Sequence, residues 1–187
     1  MDEAKTALFL ALGQIASKGI SNNTSIVPTE RLLISPTHDL ALMLPTSLRQ
    51  ANDAAEAYKL FFVFENYLRS LIVQELSQDV TTSWWDKLPS DLQIEVTKLE
   101  EQEEVKGWMA LGSRDKSALM TLPQLVKVID HNWKQVFEDV VRDRALLQEA
   151  RTIGHLRNTI CHMSVISAEE LERIRQTMRD WFRAVAP

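Results

Sequence analysis

The chain has 187 residues, 45% of them hydrophobic and 25% charged, with a formal net charge of −5; this is the make-up of one well-cored globular domain, or of one domain with an appended arm. The net acidity argues against indiscriminate nucleic-acid binding, although a local basic patch stays compatible with it. The single cysteine, Cys161, excludes an intrachain disulfide framework and a cysteine-based zinc site and fits a reducing cytoplasm, and neither the start Met1-Asp2-Glu3 nor the short apolar run Ala7 to Leu12 predicts a signal peptide or a membrane span.

Few glycines and prolines, five and six, favour helices over a turn-rich β fold. Residues 2–17 predict a short helix with Leu8, Leu12 and Ile15 on one face. From Ser21 to Pro45 the pattern changes: Pro28, Pro36 and Pro45 interrupt short apolar runs, Leu32-Leu33-Ile34 and Leu40-Ala41-Leu42-Met43-Leu44, which fit short strands or an extended arm. Residues 1–46 are therefore expected to be a helix and an irregular arm, a candidate for regulation or partner binding. Residues 47–187 are expected to form the helical domain.

Ser47 with Gln50 has capping-box spacing and opens a long helix expected to run to about Ser77. Its apolar stripe is Ala51, Ala54, Tyr58, Phe61, Phe62, Leu68, Leu71 and Ile72 at helical spacing. Glu65 falls inside that stripe, one turn before Arg69, and reads as a buried carboxylate paired with Arg69 or another arginine. The sharper reading makes it a group that orients Arg157 or His162. Trp84-Trp85 and Pro89 mark a connection, and Ser90 with Gln93 is spaced as a cap for a helix ending near Gly107. Nine acids against two lysines between Glu75 and Glu104 read as a solvated face, or as a surface for a basic partner. Gly107 to Ser117 reads as a loop.

Thr121 with Gln124 repeats the capping spacing, for a segment carrying Leu125, Val126 and Ile129, and Asn132 is placed to cap another with Trp133, Val136, Phe137 and Val140. A helix over roughly 143–162 is expected to bury Leu146 or Leu147, Ala150, Ile153, Leu156 and Ile160. Ser167 with Glu170 then caps a closing helix with Leu171, Ile174, Met178, Trp181, Phe182 and Val185 inward. Its acids come first and Arg179 and Arg183 last, which suits the helix dipole. The fold class predicted is all-α.

The candidate chemistry sits at Arg157-Asn158-Thr159-Ile160-Cys161-His162. A planar, permanently charged guanidinium grips phosphate through paired hydrogen bonds, and an imidazole titrates near neutrality and moves protons. On an ideal helix Arg157 and His162 lie about 140° apart, so they converge only if the helix ends near the motif or two copies face each other. Arg151 reads equally as a phosphate ligand or a partner for an acid. His155 and His162 share a helix face as metal ligands do, but no acid shares that segment, so no metal and no cofactor is expected. Cys161 reads as a small packed residue rather than a nucleophile. The region from Arg142 onward carries eight arginines against six acids, compatible with an RNA cleft or with ordinary salt-bridged helices.

These residues resemble the HEPN superfamily, all-helical domains marked by Arg, four to six intervening residues and His, with a polar residue after the Arg. Asn158 takes the polar position. The wider frame is similar to the branch found in the Swt-type RNA endonucleases and their prokaryotic relatives. It comprises Phe64-Glu65-Asn66-Tyr67-Leu68-Arg69, Trp84-Trp85, Leu122-Pro123-Gln124-Leu125, Asn132-Trp133 and Ile153-Gly154-His155-Leu156-Arg157-Asn158, and covers roughly residues 48–184. The resemblance implies a helical bundle acting as a homodimer, with two motifs meeting in a cleft for metal-independent cleavage of RNA. In it His162 moves protons, Arg157 stabilises charge on the phosphate, and Asn158 orients the His or the phosphate. Arg151, His155, Glu65 and Arg69 become candidates for contacting substrate or supporting these three. A cytoplasmic toxin or antiviral-defence effector, with an inhibitory or activating protein partner and no membrane, is the implied setting. The alternative is a non-catalytic HEPN adaptor that binds a protein or a nucleotide. Toxins of this superfamily that pair with nucleotidyltransferase antitoxins often carry Tyr two residues after the His; here Ser164 stands there, so modification of such a Tyr does not carry over.

Overall fold

The computed structural model describes residues 33–35, 38–39, 45–105 and 115–185. The chain divides into two compact units, residues 1–50 and 51–187. In the first, β1 (Leu33–Ser35) pairs antiparallel with β2 (His38–Asp39), with Leu33 opposite Asp39 and Ser35 opposite His38 and an irregular register between them. Of the two readings of the run Leu32-Leu33-Ile34, short strand or extended arm, a strand is present over Leu33–Ser35. Its partner precedes the run Leu40 to Leu44, which lies outside the described residues, as does the helix expected over 2–17.

Helix α1 spans Pro45–Leu76. It starts two residues before the expected Ser47 cap because Pro45 supplies a helical φ and lacks only an N–H that would be unbonded at that position. In the second unit α1 buries Ala57, Phe61, Phe64, Leu68, Ile72 and Leu76, a 4-3-4-4-4 series of steps along one face. Of the expected stripe Ala51 is exposed, and the rings Tyr58 and Phe62 are 56% and 59% exposed. The two rings lie one position off the buried series, and Ala57 and Phe64 take the inward places.

A 3-10 turn at Trp84–Lys87, capped by Ser83, leads to α2 (Ser90–Val105). Gln93 does not close a capping box on Ser90. Its amide turns back to donate to the carbonyls of Trp85 at 2.8 Å and Leu88 at 3.3 Å, which welds the turn to the helix. Most of the expected loop from Gly107 lies outside the described residues, and its end forms a 3-10 turn at Lys116–Leu119, capped by Asp115. Lys116 Nζ sits 4.5 Å over the Trp85 ring.

Helix α3 (Leu122–His131) begins as its sequence predicts, with the Thr121 N–H donating to Gln124 Oε1 at 2.8 Å. Asn132 follows, but its amide does not cap the next element. Buried, it donates to the carbonyls of Lys87 and Val128, each at 3.1 Å, and the chain runs through a π turn at Trp133–Phe137 into the short α4 (Glu138–Val141). Helix α5 (Ala145–Cys161) packs on α3, and α6 (Ala168–Val185) packs on α5. Gly154 of α5 faces Pro123; a methyl there would lie 3.6 Å from Pro123 Cγ, an ordinary contact.

The core is continuous through α1, α3, α5 and α6. Trp181 of α6 meets Phe64 of α1 edge-on at 5.6 Å, and Phe182 meets Tyr67 at 4.8 Å, the geometry the ring quadrupoles favour. Ser167 Oγ accepts the Glu170 N–H at 3.2 Å to open α6. The second unit is thus a helical bundle, and the class is all-α. Among the described residues no helix is long and apolar enough to cross a membrane.

Candidate functional site

One face of α1 carries Tyr58, Phe62, Glu65 and Arg69 at helical spacing, and opposite it α5 presents Arg157 and Cys161, one turn apart. Between them lies an open cleft of about 230 Å³, also lined by Phe61, Asn66 and Ile160. Its centre is Glu65, only 6% exposed. Glu65 Oε1 accepts from Arg157 Nε at 2.7 Å, and Oε2 accepts from Arg69 Nη2 at 2.9 Å. A lone carboxylate buried to this degree is costly, and two charge-assisted bonds offset that cost.

The two arginines differ in what remains to them. Arg69 also donates from Nε to the Ser117 carbonyl at 3.0 Å, from Nη2 to the Met120 carbonyl at 2.8 Å, and from Nη1 to Asn66 Oδ1 at 3.2 Å. All three of its nitrogens are engaged, so it braces Glu65 and ties α1 to the turn before α3. Arg157 uses Nε alone, and among the described residues neither Nη has a protein partner. Burial works against its charge, but the hydrogen bond and charge of Glu65, with smaller contributions from Cys161 and Tyr58, raise its pKa further above the ordinary arginine value. The guanidinium is permanently charged, held at one edge, with its other edge open.

His162 stands at the end of α5. The helix closes with the Met163 N–H on the Ile160 carbonyl at 3.0 Å and the Ser164 N–H on the Thr159 carbonyl at 3.1 Å, with Met163 left-handed at φ 59°. This is the Schellman pattern, with methionine where glycine is usual. It stops the helix right after the motif and leaves His162 at the cap position, exposed, with no side-chain partner among the described residues. His162 does not line the cleft; it follows Cys161, which does. Asn158 is exposed, and its side chain is likewise without a partner among the described residues.

The structure thus brings together Arg157, Glu65 and Arg69. It does not bring Arg151 or His155 to them. Arg151 donates to Asp130 Oδ2 at 2.6 Å, beside Arg144 on Oδ1 at 2.7 Å, so its partner here is an acid on α3. Arg144 first and Arg151 after it hold the Asp130 carboxyl below its ordinary pKa, against the opposing effect of burial. His155 is exposed and outside the cleft. Among the described residues no group of three or more His, Cys, Asp or Glu side chains is arranged to hold a metal ion.

Sequence reasoning missed two features. The backbone carbonyls of Ser117 and Met120 that hold Arg69 come from a segment about fifty residues away, and no side-chain pattern marks them. Tyr58 and Phe62 read as core residues and are exposed at the cleft. The available signal was their offset from the inward series of α1.

No curated protein and no solved structure matches the chain. Residues 59–186 match the family model described as Swt1-like HEPN, a span that holds Glu65, Arg69, Arg157, Asn158 and His162 and most of the helical unit. HEPN membership carries an RNase-type or nucleotide-related function at the level of the family. The helical bundle, the arginine held at one edge and the histidine at the helix end are therefore those of a chain that belongs to the Swt1-like HEPN family.

Proposed function

We propose that this domain is a metal-independent endoribonuclease whose working site is composed of two copies of the motif. The observation that carries the reading is Arg157: Glu65 holds its Nε, and neither Nη has a partner among the described residues, while His162 is exposed at the end of the same helix. A fork held at one edge and open at the other fits the non-bridging oxygens of a phosphodiester, where charge accumulates in the transition state. His162, at the helix end and outside the cleft, supports completion by a second protomer rather than by its own Arg157.

In this reading a neutral His162 takes the proton of a ribose 2′-hydroxyl while that oxygen attacks the adjacent phosphorus. The bond from phosphorus to the 5′-oxygen breaks, and the protonated His162 of the second copy gives its proton to the leaving oxygen. The products carry a 2′,3′-cyclic phosphate and a free 5′-hydroxyl. Asn158 orients the phosphate or the imidazole, and Glu65 and Arg69 position Arg157. Action in the cytoplasm as a toxin or defence effector, held or released by a partner protein that engages residues 1–46, belongs to the same reading.

Incubation of purified protein with mixed RNA in EDTA tests it. Cleavage is expected from the wild type, with loss in both Arg157→Ala and His162→Ala. A mixture of the two variants is expected to stay below the wild type, because no heterodimer assembles a complete site. Abolition by EDTA would instead mark a metal-dependent hydrolase. Absence of cleavage by a dimer confirmed in solution would leave the non-catalytic adaptor.

A further inference from the structure

We infer that Tyr58 and Phe62 form a stacking platform for one unpaired base of the RNA, next to the phosphate held by Arg157, so that the site selects single-stranded over duplex RNA. The inference rests on the ribonuclease reading of the same cleft and adds the substrate class. Tyr58 and Phe62 are 56% and 59% exposed, although each is a large ring on a helix with a well-filled inward face. Their centroids are 6.3 Å apart and their planes are tilted by 32°. Neighbouring rings so inclined present a π surface on which a flat base can lie.

The company they keep points to a nucleotide. Both rings line the cleft that holds Arg157, Glu65, Asn66 and Arg69. Two arginines against one carboxylate leave a net positive charge among these lining residues, with the donors that have no partner among the described residues on Arg157. The core of a protein interface is depleted of charge, whereas binding of single-stranded nucleic acid combines a positive groove with aromatic faces. Size agrees as well. At about 230 Å³ the cleft falls below the roughly 300–1,000 Å³ that encloses a whole small-molecule ligand, which suits one base with its backbone running past. A base within a duplex is stacked and paired and offers no free face; an unpaired one stacks on any aromatic surface, whatever its identity. The platform therefore selects for strandedness and tolerates sequence.

The test is fluorescence anisotropy of the full-length His162→Ala protein, which keeps the RNA uncut, with a labelled single-stranded RNA of mixed sequence and with the duplex of that sequence. Single-stranded RNA is expected to bind more tightly than duplex. Adding Tyr58→Ala or Phe62→Ala should weaken the single strand about tenfold with little change for the duplex, and Phe62→Trp should retain the binding. Both positions are more than half exposed, so thermal melts should match the parent. Unchanged single-strand affinity in both alanine variants overturns the inference, as does failure of the parent to bind RNA. Loss of affinity in step with dissociation of a dimer, followed by light scattering, also overturns it and assigns the rings to contact with a second copy. The two readings separate cleanly. Aromatic-dependent binding without cleavage by the wild type sinks only the ribonuclease, and cleavage with an unaltered KM in Tyr58→Ala and Phe62→Ala sinks only the platform.

Discussion

Glu65 decides how the cleft works at the scale of single residues. It is almost fully buried, and it divides its two oxygens between two arginines. Glu65→Gln keeps the shape and removes the charge, and its amide N–H₂ necessarily faces one guanidinium. The expected cost to stability is about 1–3 kcal/mol, measurable by urea unfolding. If RNA cleavage is the activity, it should fall about 10- to 100-fold through misplacement of Arg157, more than the loss of folded protein explains. A variant that melts lower but cleaves normally would show that Arg157 needs no such support. Position was legible here because a carboxylate inside an apolar stripe is anomalous and demands a partner. Arg157 stood there only as one alternative beside Arg69 and His162, since it lies 92 residues away and nothing local joins the two. Tyr58 and Phe62 were misplaced for a related reason: aromatic residues at helical spacing read as core until the inward face is known to be filled by its neighbours.

At the scale of elements, the end of α5 is the informative one. Met163 holds a left-handed conformation that glycine adopts without steric penalty, and its side chain is 92% exposed, so no burial compensates for it. Met163→Gly should raise stability by about 0.5–1 kcal/mol, seen as a higher Tm. The alternative Met163→Val should lower it, because branching at Cβ worsens the clash. No change in either variant would mean that the helix end is not held in this form in solution. The sequence anticipated a helix stopping near His162, and the turn confirms it at Cys161. It also anticipated the caps at Thr121 and Ser167. Where spacing misled, another carbonyl had won the side chain: Gln93 turns back to Trp85 and Leu88 in the preceding turn, and Asn132 to Val128 of α3 just before it and to the distant Lys87. A capping box is a local preference of about 1 kcal/mol, and a buried unbonded carbonyl costs as much or more.

At the scale of the whole molecule, several carboxylates join elements. Asp130 holds Arg144 and Arg151, and Asp91 of α2 holds Lys127 of α3. Their pKa values lie below the ordinary one, Asp130 chiefly through Arg144 and Asp91 chiefly through Lys127. Glu172, bonded first by Arg179, behaves alike within α6. The sign follows from linkage: the unfolded chain binds protons to these groups at a higher pH than the folded one, so their contribution is complete above the unfolded pKa, about 4, and is lost as pH falls through the folded values. Urea midpoints should therefore hold from neutrality to about pH 5 and drop below about pH 4. Added salt should shrink the drop, since these pairs are largely exposed. A midpoint flat down to pH 3 would show that the bridges add nothing.

The sequence by itself determined the all-α class, the helix-forming segments, the family and the motif, because apolar periodicity, capping spacing and a short run of chemically distinct residues are local properties that the chain carries in any conformation. Only the tertiary structure decided which arginine keeps an edge without a protein partner among the described residues. Arg69, Arg151 and Arg157 are the same side chain with the same charge. What separates them is the number of acceptors the fold brings within reach: three nitrogens of Arg69 are occupied, Arg151 is drawn to Asp130, and Arg157 is bonded, among the described residues, at Nε alone. Hydrogen bonds of that kind join segments far apart in the chain, and they exist only once the helices have packed.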